Sequence, residues 1–193
     1  MIDQVEMMKA IEKLRGDAVV VPVFRANIAW GKVTSNMKRD IPAGGAMGKG
    51  SSLALGIALA QPNTKVILFD GDGSLLMNLG SLVTAANKAP KNLYHFVMDN
   101  GVYATTGGQD VPGVGMTEYA DMAKAAGYAH TYEFDDLEDF VTRAEEVFNQ
   151  EGPVFVTAKV VPDIRQATER AAGRQRRTPE AVLDLMGEFA GAR

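Results

Sequence analysis

The sequence predicts an α/β fold, a doubly wound and mostly parallel sheet with helices on both faces. Strand-sized apolar runs alternate along the chain with segments whose apolar residues recur at helical spacing. This alternation is typical of parallel sheets that are covered by helices on both sides. A chain of 193 residues, of which 46% are apolar, is also long enough to bury a full core.

The first half of the chain begins with a helix and a buried strand. Residues 1–14 carry apolar side chains at helical spacing, and the apolar run over 18–24 predicts the first strand. A glycine-rich turn follows, after which residues 51–60 predict a second helix. The next apolar run, 65–69, predicts the second strand.

The second half continues the alternation. Residues 75–88 predict a helix, with Pro90 just beyond its end, and residues 93–98 predict the third strand. Residues 117–126 predict a further helix that stops at Gly127. The last two strands and the helix between them are predicted over the ranges 128–132, 153–160 and 137–148.

Composition excludes several classes of protein. A net charge of −4 and a sequence pI near 5.2 favour no nucleic-acid partner. The absence of cysteine excludes disulfides, cysteine-ligated iron–sulfur clusters and thiolate nucleophiles. No apolar run reaches membrane-spanning length, and the acidic N-terminus does not resemble a secretion signal, so we expect no membrane partner and a cytoplasmic location.

Two oxygen-rich turns follow neighbouring strands. Gly71 and Gly73 flank Asp72 after the second strand, and Asn100 follows the third strand. Because consecutive parallel strands end at the same edge of a sheet, both turns should lie side by side where open α/β sheets bind ligands. Mg²⁺ prefers about six oxygen ligands, usually shared between one or two carboxylates, waters and phosphates. The pattern therefore suits a divalent metal that holds a diphosphate.

These segments, in this order, resemble the signature of thiamine diphosphate enzymes. The family pattern is a Gly-Asp-Gly triplet and, one helix and one strand later, a pair that ends in Asn. The upstream turn over 44–52 resembles the Gly-x-Met-Gly turn that cradles the aminopyrimidine ring in that family. The stretch over 30–109 looks closest to the phosphonopyruvate and sulfopyruvate decarboxylases. One departure is Asp99, where the family often has Asn.

The resemblance implies a role for each matching residue. The metal ligands for Mg²⁺ would be the side chains of Asp72 and Asn100 and the carbonyl of Val102. The thiamine diphosphate contacts would come from Gly45, Ala46, Met47, Gly48, Gly71, Gly73, Ser74 and Tyr103. Among these, the Gly45 carbonyl would accept from the pyrimidine amino group, and Met47 would bend the cofactor.

The resemblance also implies a missing component. Family members activate the cofactor with a glutamate on a second domain, and this chain has room for only one domain. Glu133 is the one candidate on this chain for the activating glutamate, but it lacks the motif of the family. We therefore expect no catalytic residue on this chain and a partner subunit with a pyrimidine domain that supplies the glutamate. The expected hetero-oligomer would decarboxylate a small anionic 2-oxo acid such as sulfopyruvate or phosphonopyruvate. Thr105, Thr106 and Gln109 are plausible contributors to substrate selection.

Other interpretations stay open at this point. The chain could belong to another thiamine diphosphate enzyme, such as an acetolactate synthase or a 2-oxo acid oxidoreductase, or be a non-catalytic nucleotide-binding or scaffold module. Residues 1–162 are expected to form the cofactor-binding domain, and 163–193 an Arg-rich tail with a short helix over 179–189. The tail is either a solvated connector or a contact to a partner or anionic substrate, through Arg165, Arg170, Arg174, Arg176 and Arg177. His95 and His130, both in predicted strands, are expected to be packed rather than catalytic.

Overall fold

The computed structural model describes residues 1–164 and 177–191. Its central sheet has five strands, all parallel, in the spatial order β1-β2-β3-β7-β6. These strands are β1 (Val19–Pro22), β2 (Val66–Gly71), β3 (Leu93–Asp99), β6 (His130–Phe134) and β7 (Val154–Lys159). The remaining two strands, β4 (Val102–Tyr103) and β5 (Gln109–Asp110), form a small antiparallel ladder beside the sheet.

Helices cover both faces of the sheet, which confirms the predicted fold class. One core layer lies between the sheet and α1, α2 and α7, and the other between the sheet and α3, α5, α6 and α8. The helices are α1 (Gln4–Leu14), α2 (Arg25–Trp30), α3 (Gly50–Ala60), α4 (Asp72–Leu76), α5 (Ser81–Lys88), α6 (Tyr119–Ala126), α7 (Leu137–Asn149) and α8 (Thr178–Gly191). A 3₁₀ turn over Met37–Arg39 precedes the glycine-rich turn.

Local sequence explains where several helices begin and end. The side chain of Asp3 accepts hydrogen bonds from the amides of Val5 and Glu6 at 2.8 and 3.0 Å, and so starts α1. Asp136 starts α7 in the same way by accepting from Asp139 N at 3.0 Å. Gly127 ends α6 with φ of 104°, in the left-handed region that glycine adopts without strain.

The structure corrects three predicted elements. The helix predicted over 75–88 begins earlier, at Asp72, and is split into α4 and α5 by a turn over 77–80. Within this turn, Asn78 donates to the carbonyl of Gly48 at 2.9 Å. The fourth strand starts two residues late, at His130, where pairing with Val154 begins. Helix α2 was not predicted, since it is only six residues long and directly follows a strand.

The C-terminal helix packs on the body of the fold. Ala181 and Leu185 are buried in the core layer of α3, and the Thr178 hydroxyl donates to the carbonyl of Pro42 at 2.6 Å. The division between a cofactor-binding domain over 1–162 and a tail over 163–193 stays a prediction. Four of the tail arginines lie outside the described residues: Arg165, Arg170, Arg174 and Arg176. Over residues 1–164 and 177–191, every helix falls short of the length and apolar character that crossing a membrane requires.

Candidate functional site

The two oxygen-rich turns are joined by the side chain of Asp72. This residue is only 3% exposed at the point where β2 ends and α4 begins. Its Oδ1 accepts from the amide of Gly73 at 2.8 Å, and its Oδ2 accepts from the amide of Gly101 at 2.7 Å. Gly101 follows β3, so one carboxylate links the ends of two neighbouring strands.

The second turn presents an amide oxygen and a carbonyl beside that carboxylate. Asn100 Oδ1 accepts from the amide of Val102 at 2.9 Å, and the carbonyl of Val102 accepts from Ala104 N at 2.9 Å. Gly101 adopts φ of +72°, and a Cβ there would lie 2.7 Å from Val114 Cγ2. The tight turn therefore requires glycine at position 101. Asn100 Oδ1 and the carbonyl oxygen of Val102 each accept one hydrogen bond here and keep a lone pair for another partner.

One cleft at the carboxyl ends of the strands collects most of the predicted residues. Its walls come from the ends of β1, β2 and β3, the loop before α3 and the segment over 102–106. The predicted residues that line it are Met47, Gly71, Asp72, Gly73, Ser74, Asn100, Val102 and Tyr103. Thr105 and Thr106 line it as well, whereas the exposed Gln109 does not.

The glycine-rich turn is only partly in this cleft. Gly48 donates its amide to Ser74 Oγ at 3.1 Å, which holds the turn against α4. Gly45, with φ of +88°, instead lines a neighbouring cavity together with Pro42 and Thr178. Ala46 is half-buried and lines neither cavity. The structure thus brings Met47 to the metal turns and leaves Gly45 and Ala46 beside them.

The ring of Tyr103 covers the first turn. A Cβ added to Gly73 would lie 2.3 Å from Cε1 of that ring, so the ring rests directly on the glycine. Gly73 is therefore required by this close approach. The predicted contact of Tyr103 with a cofactor stays a prediction.

Burial raises the pKa values of two neighbouring carboxyl groups at this edge of the sheet. The pKa of Asp72 is raised to about 6, mainly by burial and to a smaller extent by the nearby carboxyl of Asp99, while the amides of Gly73 and Gly101 oppose the rise. Burial likewise raises the pKa of Asp99. The pKa of the Tyr119 hydroxyl is raised by burial and then by these two carboxylates. Two adjacent carboxyl groups with raised pKa values favour a cation as a neighbour.

This donor set fits Mg²⁺ bound together with a diphosphate. Within the described ranges, no group of three or more His, Cys, Asp or Glu side chains forms a metal cluster. One carboxylate, one amide oxygen and one carbonyl oxygen leave about three of the six positions for waters and phosphate oxygens, as Mg²⁺ sites commonly do. The residues present therefore suit a metal shared with a phosphorylated cofactor.

A buried polar network behind the site was not predicted as a unit. Asp70 Oδ1 accepts from the amide of Gly71 at 2.9 Å, and Asp70 Oδ2 lies 3.8 Å from Nε2 of the fully buried His95. His95 Nδ1 is 3.1 Å from the hydroxyl of Tyr128. The burial of His95 agrees with the expectation of a packed role. Neither Asp70 Oδ2 nor His95 Nε2 makes a hydrogen bond in the described structure, so the contact of this group with the Asp72 turn is the bond from Gly71 to Asp70.

Two further residues of the cleft, Gln4 and Arg25, were missed by the sequence argument. Arg25 follows directly after the apolar run of β1, so the rule that located Asp72 and Asn100 at strand ends could have located it. Gln4 begins α1 and carries no comparable signal. Its place in the cleft depends on how α1 packs across the sheet.

Comparisons with known proteins agree with this geometry. The family described as thiamine pyrophosphate enzyme, C-terminal TPP binding domain, matches residues 38–158. Sulfopyruvate decarboxylase subunit beta of Methanothermobacter thermautotrophicus is 37% identical over 170 residues, which are 81% of this chain and 83% of that protein. Phosphonopyruvate decarboxylase of Streptomyces hygroscopicus is 38% identical over 76% of this chain, but the chain spans only 35% of its length.

Solved structures show the same fold. A putative thiamin diphosphate-dependent enzyme from Mycobacterium smegmatis superposes with a TM-score of 0.71 and 20% sequence identity. The match covers 84% of this chain and 32% of that one. At this identity the likeness supports the architecture of the sheet and its helices.

Proposed function

The chain belongs to the thiamine pyrophosphate enzymes, and from this premise we propose that it is the cofactor-binding subunit of a decarboxylase acting on a small anionic 2-oxo acid. Sulfopyruvate and phosphonopyruvate are the proposed substrates, because the relatives similar over most of this chain are named for them. The observation that carries the proposal is the bond from Gly101 to Asp72, which unites the two turns in one cleft. The shared cleft is what a metal-bridged diphosphate needs.

The side chains of this subunit would bind and orient rather than transfer protons. Asp72, Asn100 and the carbonyl of Val102 would hold Mg²⁺, and Gly71, Gly73 and Ser74 would line the diphosphate. Met47 would lie against the organic part of thiamine diphosphate, with Gly45, Ala46 and Gly48 shaping the turn that carries it. When bound, thiamine diphosphate supplies an electron sink, which accepts the electron pair of the C–C bond that breaks when a 2-oxo acid releases carbon dioxide.

The activating glutamate is proposed to come from a partner subunit. Among the described residues that line the cleft there is no glutamate. Glu133, the candidate on this chain, pairs with Lys159 at 2.5 Å near the end of the sheet and does not line the cleft. A relative of similar length that is named a beta subunit supports a hetero-oligomer, in which a pyrimidine domain of the partner completes the site.

The test is reconstitution with a panel of substrates. The full chain, purified alone and co-expressed with a candidate partner that carries a pyrimidine domain, is supplied with 2-oxo acids while carbon dioxide release is followed. We expect release from sulfopyruvate or phosphonopyruvate only with both chains, Mg²⁺ and thiamine diphosphate present. Activity of this chain alone, or acetolactate as the product from pyruvate, would contradict the proposal.

The metal assignment is tested separately by cofactor binding. Asp72→Ala should abolish Mg²⁺-dependent retention of thiamine diphosphate in the complex, measured by titration calorimetry. Asp135→Ala is the matched control, because this exposed aspartate precedes α7 and does not line the cleft. Unchanged cofactor affinity in the Asp72 variant would show that the metal ligands lie elsewhere.

A further inference from the structure

Two buried donors in the cleft have no acceptor. The Nε atom of Arg25 and the Nε2 atom of Gln4 are both shielded from solvent and hydrogen-bond to nothing in the described structure. Both residues line the cleft that contains Asp72 and Asn100. Buried donors are almost always paired in folded proteins, because an unpaired one loses its bonds to water without compensation. Two such atoms in one cleft indicate that a ligand brings the acceptor.

The guanidinium of Arg25 is held in place before any ligand arrives. Its Nη2 donates to the carbonyl and to Oδ2 of Asp163, at 3.0 and 2.6 Å, and the side chain is only 17% exposed. The preceding residue, Phe24, also lines the cleft and has φ of 43° and ψ of −108°. Such a conformation is strained for a residue other than glycine and is typical of functional sites. The start of α2 therefore keeps a costly geometry that positions Arg25 at the cleft.

Charge indicates what kind of ligand this is. Among the described residues that line the cleft, Arg25 is the one cationic side chain, and Asp70 and Asp72 line the same cleft. A planar guanidinium with five donors matches the oxygens of carboxylates, sulfonates and phosphonates. The proposed metal is the partner of the diphosphate, and an acidic substrate brings a second anionic group that needs donors of its own.

The pair comes from the face of the sheet opposite the turn of Met47. Gln4 and Arg25 belong to α1 and α2, which pack on one face of the sheet, whereas the turn of Met47 leads into α3 on the other face. The bond from Gly48 to Ser74 ties that turn to α4, on the same side as α3. The two unpaired donors are thus presented by different elements from the turn proposed to carry the cofactor.

We infer that Arg25 and Gln4 bind the acidic tail of the substrate, the sulfonate, phosphonate or carboxylate remote from the 2-oxo acid group. The inference rests on the proposed function and adds to it the residues that select an anionic substrate. Arg25 supplies the charge and Gln4 a neutral donor, and Thr105 and Thr106 line the same cleft.

The experiment compares two substrates that differ in the tail. In the reconstituted complex, kcat/KM is measured for sulfopyruvate and for pyruvate, which lacks the acidic tail. Arg25→Met should lower the ratio of the two values by about 10- to 100-fold, mainly through the KM for sulfopyruvate, as expected for the loss of a charged hydrogen bond. Gln4→Glu should lower the same ratio while leaving the ion pair of Arg25 with Asp163 intact.

The control and a second readout keep the outcomes distinct. Arg143→Met, which removes an exposed arginine of α7, should leave the ratio unchanged. An unchanged ratio in both cleft variants, or a tenfold loss of thiamine diphosphate affinity at an unchanged ratio, would overturn the assignment. The second outcome would indicate that Arg25 binds the cofactor rather than the substrate.

Failure of the proposed function has its own signature and still leaves the inference testable. In that case the wild-type complex releases no carbon dioxide from any 2-oxo acid. The inference is then tested with 3-sulfopropionate, an unreactive anion with the same tail, titrated calorimetrically into the full chain. Binding that is about tenfold weaker in Arg25→Met supports the site, and equal or absent binding in both proteins refutes it.

Discussion

Replacing Asp72 by Asn tests whether this carboxylate holds the metal. The change is nearly isosteric, so it removes the charge while keeping the shape of the turn. In the metal-free protein two effects oppose each other. Burial raises the pKa of Asp72 from an ordinary 3.8 to about 6, so its ionisation at neutral pH costs about 3 kcal/mol, and Asn avoids this cost. Asn can accept from only one of the two amides, Gly73 or Gly101, and the lost bond costs about 1–3 kcal/mol.

The free energy of unfolding of the metal-free chain should therefore change by no more than about 2 kcal/mol. Addition of Mg²⁺ and thiamine diphosphate separates the two proteins. At a ligand concentration of about 100 times Kd, the wild type should gain about 2.7 kcal/mol. For a domain of this size that corresponds to a rise in Tm of about 5–10 °C. The Asn variant should show little of this rise, because its amide lacks the charge that the cation requires.

Thermal unfolding of the full chain, followed by calorimetry or dye fluorescence, measures both effects. Four conditions are needed: no addition, Mg²⁺ alone, thiamine diphosphate alone, and both together. Asp135→Asn serves as the control and should behave as the wild type. An equal rise in Tm for wild type and Asp72→Asn would refute the metal assignment, and with it the reason for the arrangement of the two turns.

Three further outcomes are expected. Gly73→Ala should destabilise the fold by about 1–3 kcal/mol in urea unfolding, because the new Cβ would lie 2.3 Å from the ring of Tyr103. Adding Tyr103→Ala should recover part of this loss, and additive effects of the two changes would contradict the close contact. Asp40→Ala should cost about 3–5 kcal/mol by the same measurement, since it removes the 2.7 Å partner of the buried Arg15, and a loss below about 1 kcal/mol would show that the pair is not a structural one. In the metal-free protein, the contribution of the raised pKa of Asp72 to the free energy of unfolding is fully present below pH 3.8 and is lost as the pH rises through about 6. Between pH 5 and 7.5, the free energy of unfolding of the wild type should therefore fall by about 1–1.5 kcal/mol relative to that of Asp72→Asn. A constant difference between these two proteins across that range would argue against the raised pKa.

The sequence by itself determined the class of the fold and the two turns of the site. Short apolar runs and amphipathic segments reflect local periodicity, which depends on residues only a few positions apart. Asp72 and Asn100 could be placed together because β2 and β3 are consecutive parallel strands, and their ends must lie at one edge. The expectation of a partner subunit came from the family resemblance and stays a proposal.

Only the tertiary structure decided how distant segments complete the cleft. The order of the strands, with β7 inserted between β3 and β6, brings Asp163 to Arg25, 138 residues away in sequence. The turn between α4 and α5 likewise contacts a distant segment, through the bond from Asn78 to Gly48, and the place of Gln4 depends on how α1 crosses the sheet. Such contacts arise from packing between elements rather than from the propensity of any one segment. A linear pattern therefore predicts the two turns proposed to hold a diphosphate, while the other side chains that line the cleft become visible only in three dimensions.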